Sequence, residues 1–426
     1  MSVRTTRVAP SAGRLTHSLR DIGYSFESAV ADLVDNSIAA GASKVSIEIQ
    51  FSGLDSRILI ADNGQGMDEE GITEALRFGS NRSYQTGELG RYGLGLKTAS
   101  LSQCRRISVF SRSRTNSQLS SSCLSLDFIQ QVNDWMILDT DDSDVIEDVY
   151  ELLEGPHGTV VVWEDLDRLL PANNPNSPWA RRKFESLVTR LQAHLEAVFH
   201  RFLAGEAVNK TDITINGVSL QPWDPFARSE SHTELVSSDT FEITSKSGTG
   251  AVTVNAYCLP AKTQFSTPEA FDSAAGIRKW NRQQGLYIYR ANRLVQWGGW
   301  DQMRTLDEHT KLARVALDFD TDLDDEFNIN VAKMRVTIPQ QLKKLMARCI
   351  ADVCAQADSR YRKDQSKNSS ENREANESTS EGFARGAEVG LALKSAAARS
   401  GNYAAFKAIT DIIRKDNPEL ANLLGL

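Results

Sequence analysis

Three short stretches constrain this chain more than any other feature: ADLVDNSIAAGA (31–42), ADNGQGM (61–67) and GELGRYGLGLKTAS (87–100). They succeed one another as a helix, a strand with its turn, and a glycine loop that opens a second helix. From Tyr24 to Ser37 the apolar residues Phe26, Val30, Leu33 and Val34 recur at helical spacing. At about 100° per residue, Asp32 and Asn36 share a face opposite that stripe, and Asp35 lies in their sector. Glu27 stands roughly 140° round the helix from Asp32 and does not join them easily. An Asn carbonyl oxygen can ligate Mg2+. A carboxylate one turn earlier can orient a water for in-line attack on a phosphate. Taken alone, a solvated polar face is the plainer reading of such a helix.

The next two stretches narrow the choice. KVSIEIQF (44–51) alternates apolar and polar residues as a half-buried strand does, and RILIAD (57–62) is a second strand ending at Asp62. Gly64 and Gly66 let the chain turn with no Cβ in the way. A carboxylate at that point can accept a hydrogen bond from an exocyclic amine, while the glycines admit a flat base; a plain turn is the alternative. Gly90, Gly93 and Gly95 precede a helical run, and N–H groups at a glycine-rich helix start bind phosphate. Leu96 separates Gly95 from Lys97, so this is not a Walker loop, and no early βαβ unit supports a dinucleotide fingerprint. RRISVFSRS (105–113) and GTVVVWEDL (158–166) read as further strands. Helices starting near Ser25 and Leu94 can cover one face of the sheet. The expected class is α+β, a mixed and mostly antiparallel sheet with helices on one side.

Beyond this region, PWARRKFESLVTRLQAHLEAVFHRFL (178–203) carries a long helical stripe. DITINGVSL (212–220), TGAVTVNAYCL (249–259) and GLYIYRANRLVQWGGW (285–300) show strand alternation, with a hairpin turn at Ala291-Asn292. A long helix is predicted near 340–362. Residues 364–381 contain no aromatic or branched aliphatic residue, so a disordered linker is expected there. The last residues regain a helical pattern. The domains predicted are 14–205, 206–340, a helix at 341–363, the linker at 364–381 and a helical segment at 382–426. Basic clusters such as Arg181-Arg182-Lys183 read as solvated helix faces. The net charge of −8 argues against a broadly basic nucleic-acid surface. Five scattered cysteines without CxxC spacing suggest a reducing compartment, hence a cytoplasmic protein. No apolar run reaches a membrane span, and the N-terminus has no secretory-signal pattern.

Order and spacing together make the chain resemble the GHKL ATPases (gyrase, heat-shock chaperone, histidine kinase, MutL) and their Bergerat nucleotide-binding fold. HGTVVVWEDL fits as a fourth element. NINVAKMRV (328–336) looks like the transducer segment of MutL-type members, and GLYIYRANRLVQWGGW is similar to a hairpin of MORC ATPases. The resemblance covers residues 14–345 and implies an ATP-binding domain followed by a transducer-like domain. It implies Asn36 as the Mg2+ ligand, Asp62 as acceptor of the adenine amine, and Gly64, Gly66 and Met67 beside the base. Gly90, Gly93, Gly95 and Lys97 would cradle the phosphates, residues 68–92 would form a lid, and Thr159 would sit behind the adenine. Asp32 would orient the attacking water and Lys333 would reach the γ-phosphate.

Two departures stand out. Hydrolysing relatives have Glu where this chain has Asp32, and the usual NSxDAGA reads NSIAAGA, with Ala39 replacing an Asp. ATP binding with Mg2+ is therefore expected, with slow hydrolysis. The implied action is an ATP-dependent homodimeric clamp on DNA or an effector protein, in a bacterial restriction or phage-defence setting. The alternative is a nucleotide-gated scaffold with negligible hydrolysis. A histidine kinase fits poorly, because no phospho-acceptor His precedes the nucleotide domain.

Overall fold

The computed structural model describes residues 10–21, 23–79, 95–140, 143–170, 173–245, 248–329 and 336–426, without the side chains of 143, 245, 248 and 367–385. The first sheet grows from an antiparallel pair. Helices α1 (Ala12–Arg20) and α2 (Phe26–Ala39) lead into β1 (Lys44–Gln50) and β2 (Arg57–Asp62). Helices α3 (Glu69–Leu76) and α4 (Gly95–Leu101) follow, then β3 (Arg106–Ser113), β4 (Asn116–Ser125), α5 (Leu126–Val132), α6 (Ser143–Leu152) and β5 (Gly158–Glu164). Helix α7 (Pro178–Val198) and the short α8 (His200–Leu203) lead to β6 (Asp212–Ile215) and β7 (Val218–Ser219). The strand order is β4-β3-β5-β2-β1-β6-β7. Every pair is antiparallel except β1 with β6.

One face of this sheet is the main core. Val45, Ile47, Ile58, Ile60, Val109 and Trp163 pack with Val30 and Val34 of α2, Leu101 of α4 and Leu191 of α7. The other face is also covered at its centre. Leu59, Phe110, Val160 and Val162 pack with Val145 and Val149 of α6. This helix adds to the one-sided arrangement that the alternation predicts. It is needed because β2, β3 and β5 are apolar on both faces, which leaves water no place against the mid-sheet.

The second sheet contains β8 (Glu234–Ser245), β9 (Gly248–Cys258), β10 (Gly285–Arg290), β11 (Arg293–Trp297) and β12 (Ala313–Phe319) in the order β11-β10-β12-β9-β8. Helices α9 (Pro268–Ala275) and α10 (Trp280–Gln283) sit in the connection before β10. One face, with Val252, Val254, Ile288, Val315 and Leu317, packs on Leu342, Met346, Ile350 and Val353. The opposite face sends Tyr287, Tyr289, Leu294 and Trp297 into the core of the first sheet. That shared core accounts for the described residues of 10–260 and 264–357 forming one compact unit.

Residues 261–263 and 358–426 form the other unit. Helix α11 (Gln340–Arg399) continues through 364–381, where composition predicts a linker. Glu, Lys, Arg, Gln and Ala in that stretch favour helix, and no Pro or Gly interrupts it. Helices α12 (Tyr403–Asp416) and α13 (Pro418–Leu423) complete the chain. Gly386 and Gly390 lie so close to the Leu423 and Leu424 carbonyls that a Cβ would overlap them. Among the described residues no helix is long and apolar enough to cross a membrane.

Candidate nucleotide site

Helix α2 starts cleanly because the Ser25 side chain accepts a hydrogen bond from the Ser28 N–H. It then carries three polar residues with three different fates. Asp32 is buried at 2% exposure, and the Tyr24 hydroxyl donates to its Oδ2 at 3.2 Å. Gly95, the first residue of α4, lies against this carboxylate so closely that a Cβ would overlap it. Asp35 is fully buried and accepts from Arg293 Nε at 2.8 Å. Asn36 is exposed. The single polar face expected from helical spacing is therefore divided between interior and surface.

The turn after β2 is brought against the end of α2. Gln65 N–H donates to the Ala40 carbonyl at 3.0 Å, and a Cβ on Gly64 would stand 2.9 Å from Ala40 and from Asp62 Oδ1. Asn63 secures the same corner, its Oδ1 accepting from the Ser43 and Lys44 N–H groups at 2.9 Å each. Asp62 is held at both oxygens. Ser37 Oγ donates to Oδ2 at 2.9 Å, and Gly64 N–H donates to Oδ1 at 2.8 Å. Burial raises the Asp62 pKa; the Gly64 N–H, the Ser37 hydroxyl and the Thr159 main chain oppose that rise.

Two glycines in this corner are forced. Gly66 has φ +66°, and a Cβ there would overlap the Arg112 carbonyl; Gly158 has φ +149°, and a Cβ there would overlap the Asp62 carbonyl. Thr159 pairs with Asp62 across β2 and β5 and is 8% exposed. Met67 is half-buried against the main core, with its N–H donating to Ser111 Oγ at 2.8 Å.

Ser111 is a residue that sequence reasoning missed. Its hydroxyl meets Met67 N–H, the Gly158 carbonyl at 2.9 Å and Thr159 Oγ1 at 2.9 Å, so it joins the turn to the strand behind it. Only the strand register, which sets Ser111 opposite Thr159, reveals this. His157 was missed as well; its Nδ1 lies 2.6 Å from the Gly64 carbonyl.

Lys97, which the resemblance sets among the phosphate contacts, has protein partners of its own. Its ammonium donates to the carbonyls of Ala75 at 2.9 Å and Arg77 at 2.7 Å, at the C-terminal end of α3. Carbonyls at a helix C-terminus attract a cation, which accounts for the placement. Burial lowers its pKa to about 8. Gly90, Gly93, Lys333 and most of the expected lid lie outside the described residues.

The site thus unites Asp32, Asn36, Asp62, Gly64, Gly66, Met67, Gly95 and Thr159 around the end of α2. It offers a fixed hydrogen-bond acceptor beside side-chain-free backbone, an exposed amide, and a buried carboxylate one helical turn away. Such a set fits a nucleotide: a flat base near Asp62 and an oxygen-ligated cation near Asn36. No cluster of three or more His, Cys, Asp or Glu able to hold a metal exists among the described residues.

Comparison with known proteins gives matches over parts of the chain. Residues 24–159 match the family described as histidine kinase-, DNA gyrase B-, and HSP90-like ATPase. DNA mismatch repair protein MutL of Streptococcus sanguinis is 54% identical over 50 residues, which is 12% of this chain and 8% of that protein. MutL of Phenylobacterium zucineum is 34% identical over 96 residues, 20% of this chain and 15% of that protein. Protein MICRORCHIDIA 6 of Arabidopsis thaliana is 34% identical over 99 residues, 22% of this chain and 15% of that protein. The chain therefore spans only a small part of the length of these relatives.

Proposed function

Residues 24–159 are a domain of the histidine kinase-, DNA gyrase B- and HSP90-like ATPase family, and on that premise we propose that the chain is a Mg2+-dependent ATP-operated clamp. The observation that carries the reading is Asp62, a carboxylate held at both oxygens beside glycines whose Cβ positions are blocked. Asp62 accepts the adenine amine, and the tightly packed Gly64–Gly66 turn holds that carboxylate in place beside the base. Asn36 ligates the cation through its amide oxygen. Bound Mg2+ supplies charge neutralisation of the phosphates. Asp32, oriented by Tyr24, draws the proton from the attacking water. The roles given to Gly90, Gly93 and Lys333 rest on the sequence resemblance.

ATP favours one of two states only by binding it more tightly. A shift from 1:99 to 99:1 needs about 5.5 kcal/mol of preference. One charge-assisted contact contributes roughly 1.5–3 kcal/mol, so contacts between two copies of the chain share the work in an ATP-dependent homodimer. The partner held or released is DNA or an effector protein. The names of the MutL relatives point to DNA, and a bacterial defence setting is one place for such a clamp.

A second reading has its own observation. Asp32 is short and buried, and the Tyr24 hydroxyl and Gly95 already lie against its carboxylate. On this reading the chain is a nucleotide-gated scaffold that barely turns over. Steady-state phosphate release separates the two. The clamp reading expects Asp32→Ala to slow release about a hundredfold, the low end of general-base contributions. Equal release in both proteins, with a non-hydrolysable ATP analogue still driving dimerisation, establishes the scaffold instead.

A further inference from the structure

Asp35 stands between Asp32 and Asn36 on α2, yet it faces neither solvent nor the glycine turn. It is completely buried, and its partner Arg293, itself 4% exposed, comes from β11 of the second sheet. The charge of Arg293 also acts on Tyr24, the residue whose hydroxyl holds Asp32. A second buried pair sits just across the hairpin. Arg293 is the cross-strand partner of Arg290 at the end of β10. Arg290 donates from Nε to Asp324 Oδ1 and from Nη2 to Asp324 Oδ2, each at 2.7 Å, with side-chain exposures of 2% and 7%.

The two arginines flank a tight turn. Ala291 and Asn292 both have positive φ, 46° and 67°, the conformation that two-residue hairpins demand. The tip is fixed to its surroundings: Ala291 N–H donates to the Phe319 carbonyl at 3.0 Å, and Arg201 Nη1 donates to Asn292 Oδ1 at 3.4 Å. Arg201 also pairs with Asp318 and stacks 3.6 Å above the Tyr289 ring. Asp324 in turn belongs to a short ordered stretch. The Ile329 N–H donates to its carbonyl at 3.4 Å, and Phe327 stacks on Phe319 at 3.9 Å.

We propose that the Arg290–Arg293 hairpin tip is a relay that couples nucleotide occupancy at α2 to the stretch Thr321–Ile329 through two buried ion pairs. Arg293 and Arg290 are positioning residues, since neither touches the nucleotide. A rigid two-residue turn between them means that a shift of Asp35 must move Arg293, Arg290 and Asp324 together or break a buried pair. Breaking one leaves an uncompensated buried charge, so the concerted movement is favoured. This inference rests on the proposed ATP site in α2.

The test compares two variants with the wild-type chain. Asp35→Leu/Arg293→Met replaces a buried ion pair with apolar groups, an exchange that often leaves stability nearly unchanged. Arg293→Lys keeps the charge but loses the directed Nε contact. Calorimetry with a non-hydrolysable ATP analogue and Mg2+ measures binding, and hydrogen exchange reads the amides of Phe327 and Ile329 with and without the analogue. In the wild type, the analogue is expected to change their protection by at least about fivefold, the lower end of usual couplings. The double variant should still bind the analogue while its protection changes by less than about twofold, and Arg293→Lys should fall between. An unstable fold destroys analogue binding along with protection, so retained binding with lost response is not a merely structural effect. A wild-type response persisting in both variants, or in Arg293→Lys should the double variant not fold, overturns the relay. Absence of analogue binding in the wild type overturns the ATP site itself and the relay with it.

Discussion

Asp62→Asn is the sharpest perturbation of the base-recognition corner because it is nearly isosteric. The amide keeps an oxygen for the Gly64 N–H, now 2.8 Å from Oδ1. It puts an NH2 group where Oδ2 meets Ser37 Oγ at 2.9 Å. Ser37 can accept that proton and turn its own toward the Leu33 carbonyl, 3.3 Å away. The fold should therefore lose no more than about 1 kcal/mol, the net value of one hydrogen bond. Toward the exocyclic amine of adenine, however, a donor now faces a donor. Losing a hydrogen bond to a charged acceptor costs roughly 1.5–3 kcal/mol, a drop of about 10- to 100-fold in affinity. Calorimetric titration with a Mg2+-bound ATP analogue measures this, with a urea melt of each protein as control. The raised pKa of Asp62 adds a pH signature. Wild-type affinity should fall as pH drops through a value raised above that of an ordinary aspartate, and the Asn variant should show no such step. Equal affinity at equal stability refutes the assignment of Asp62 to the base.

Two further perturbations probe the frame of the site. Gly66→Ala places a Cβ onto the Arg112 carbonyl at φ +66°; the left-handed conformation alone costs about 1–2 kcal/mol, so a melt should show at least that loss, and an unchanged midpoint contradicts the turn. Buried His200, with Nε2 2.9 Å from the Tyr289 hydroxyl, has its pKa depressed by burial to about 3. The unfolded chain takes up this proton first, so stability should fall as pH drops below about 6.5 toward the folded value. The slope measured by urea melts from pH 7.5 to 5 should be shallower in His200→Gln; identical slopes contradict the account.

Much of the frame is legible in the sequence because it is local. The period of two in KVSIEIQ and the helical spacing of Phe26, Val30, Leu33 and Val34 set β1 and α2. The Asp62 turn follows from its glycines, and the Ala291-Asn292 hairpin from its turn residues. Features that depend on register or on distant contacts are not legible. Ser111 looks like any strand serine until β3 lies beside β5. Asp35 looks like a solvated residue until Arg293, far along the chain, closes over it. Strand β4 was missed because it is a serine-rich edge with one end exposed, and α6 because its acidic residues obscure the Val145 and Val149 stripe. The contacts of Lys97 with the Ala75 and Arg77 carbonyls are likewise illegible from its place after a glycine loop, because they depend on how α3 and α4 pack.

Magnesium dependence of nucleotide binding puts the whole arrangement at risk in one titration. An ATP analogue titrated into the wild-type chain, with and without Mg2+, should bind far more tightly with the ion present. Asn36→Ala, an exposed substitution that leaves the core intact, should lose that gain. A variant that binds with wild-type affinity and wild-type response to Mg2+ contradicts a cation-bound triphosphate at the end of α2.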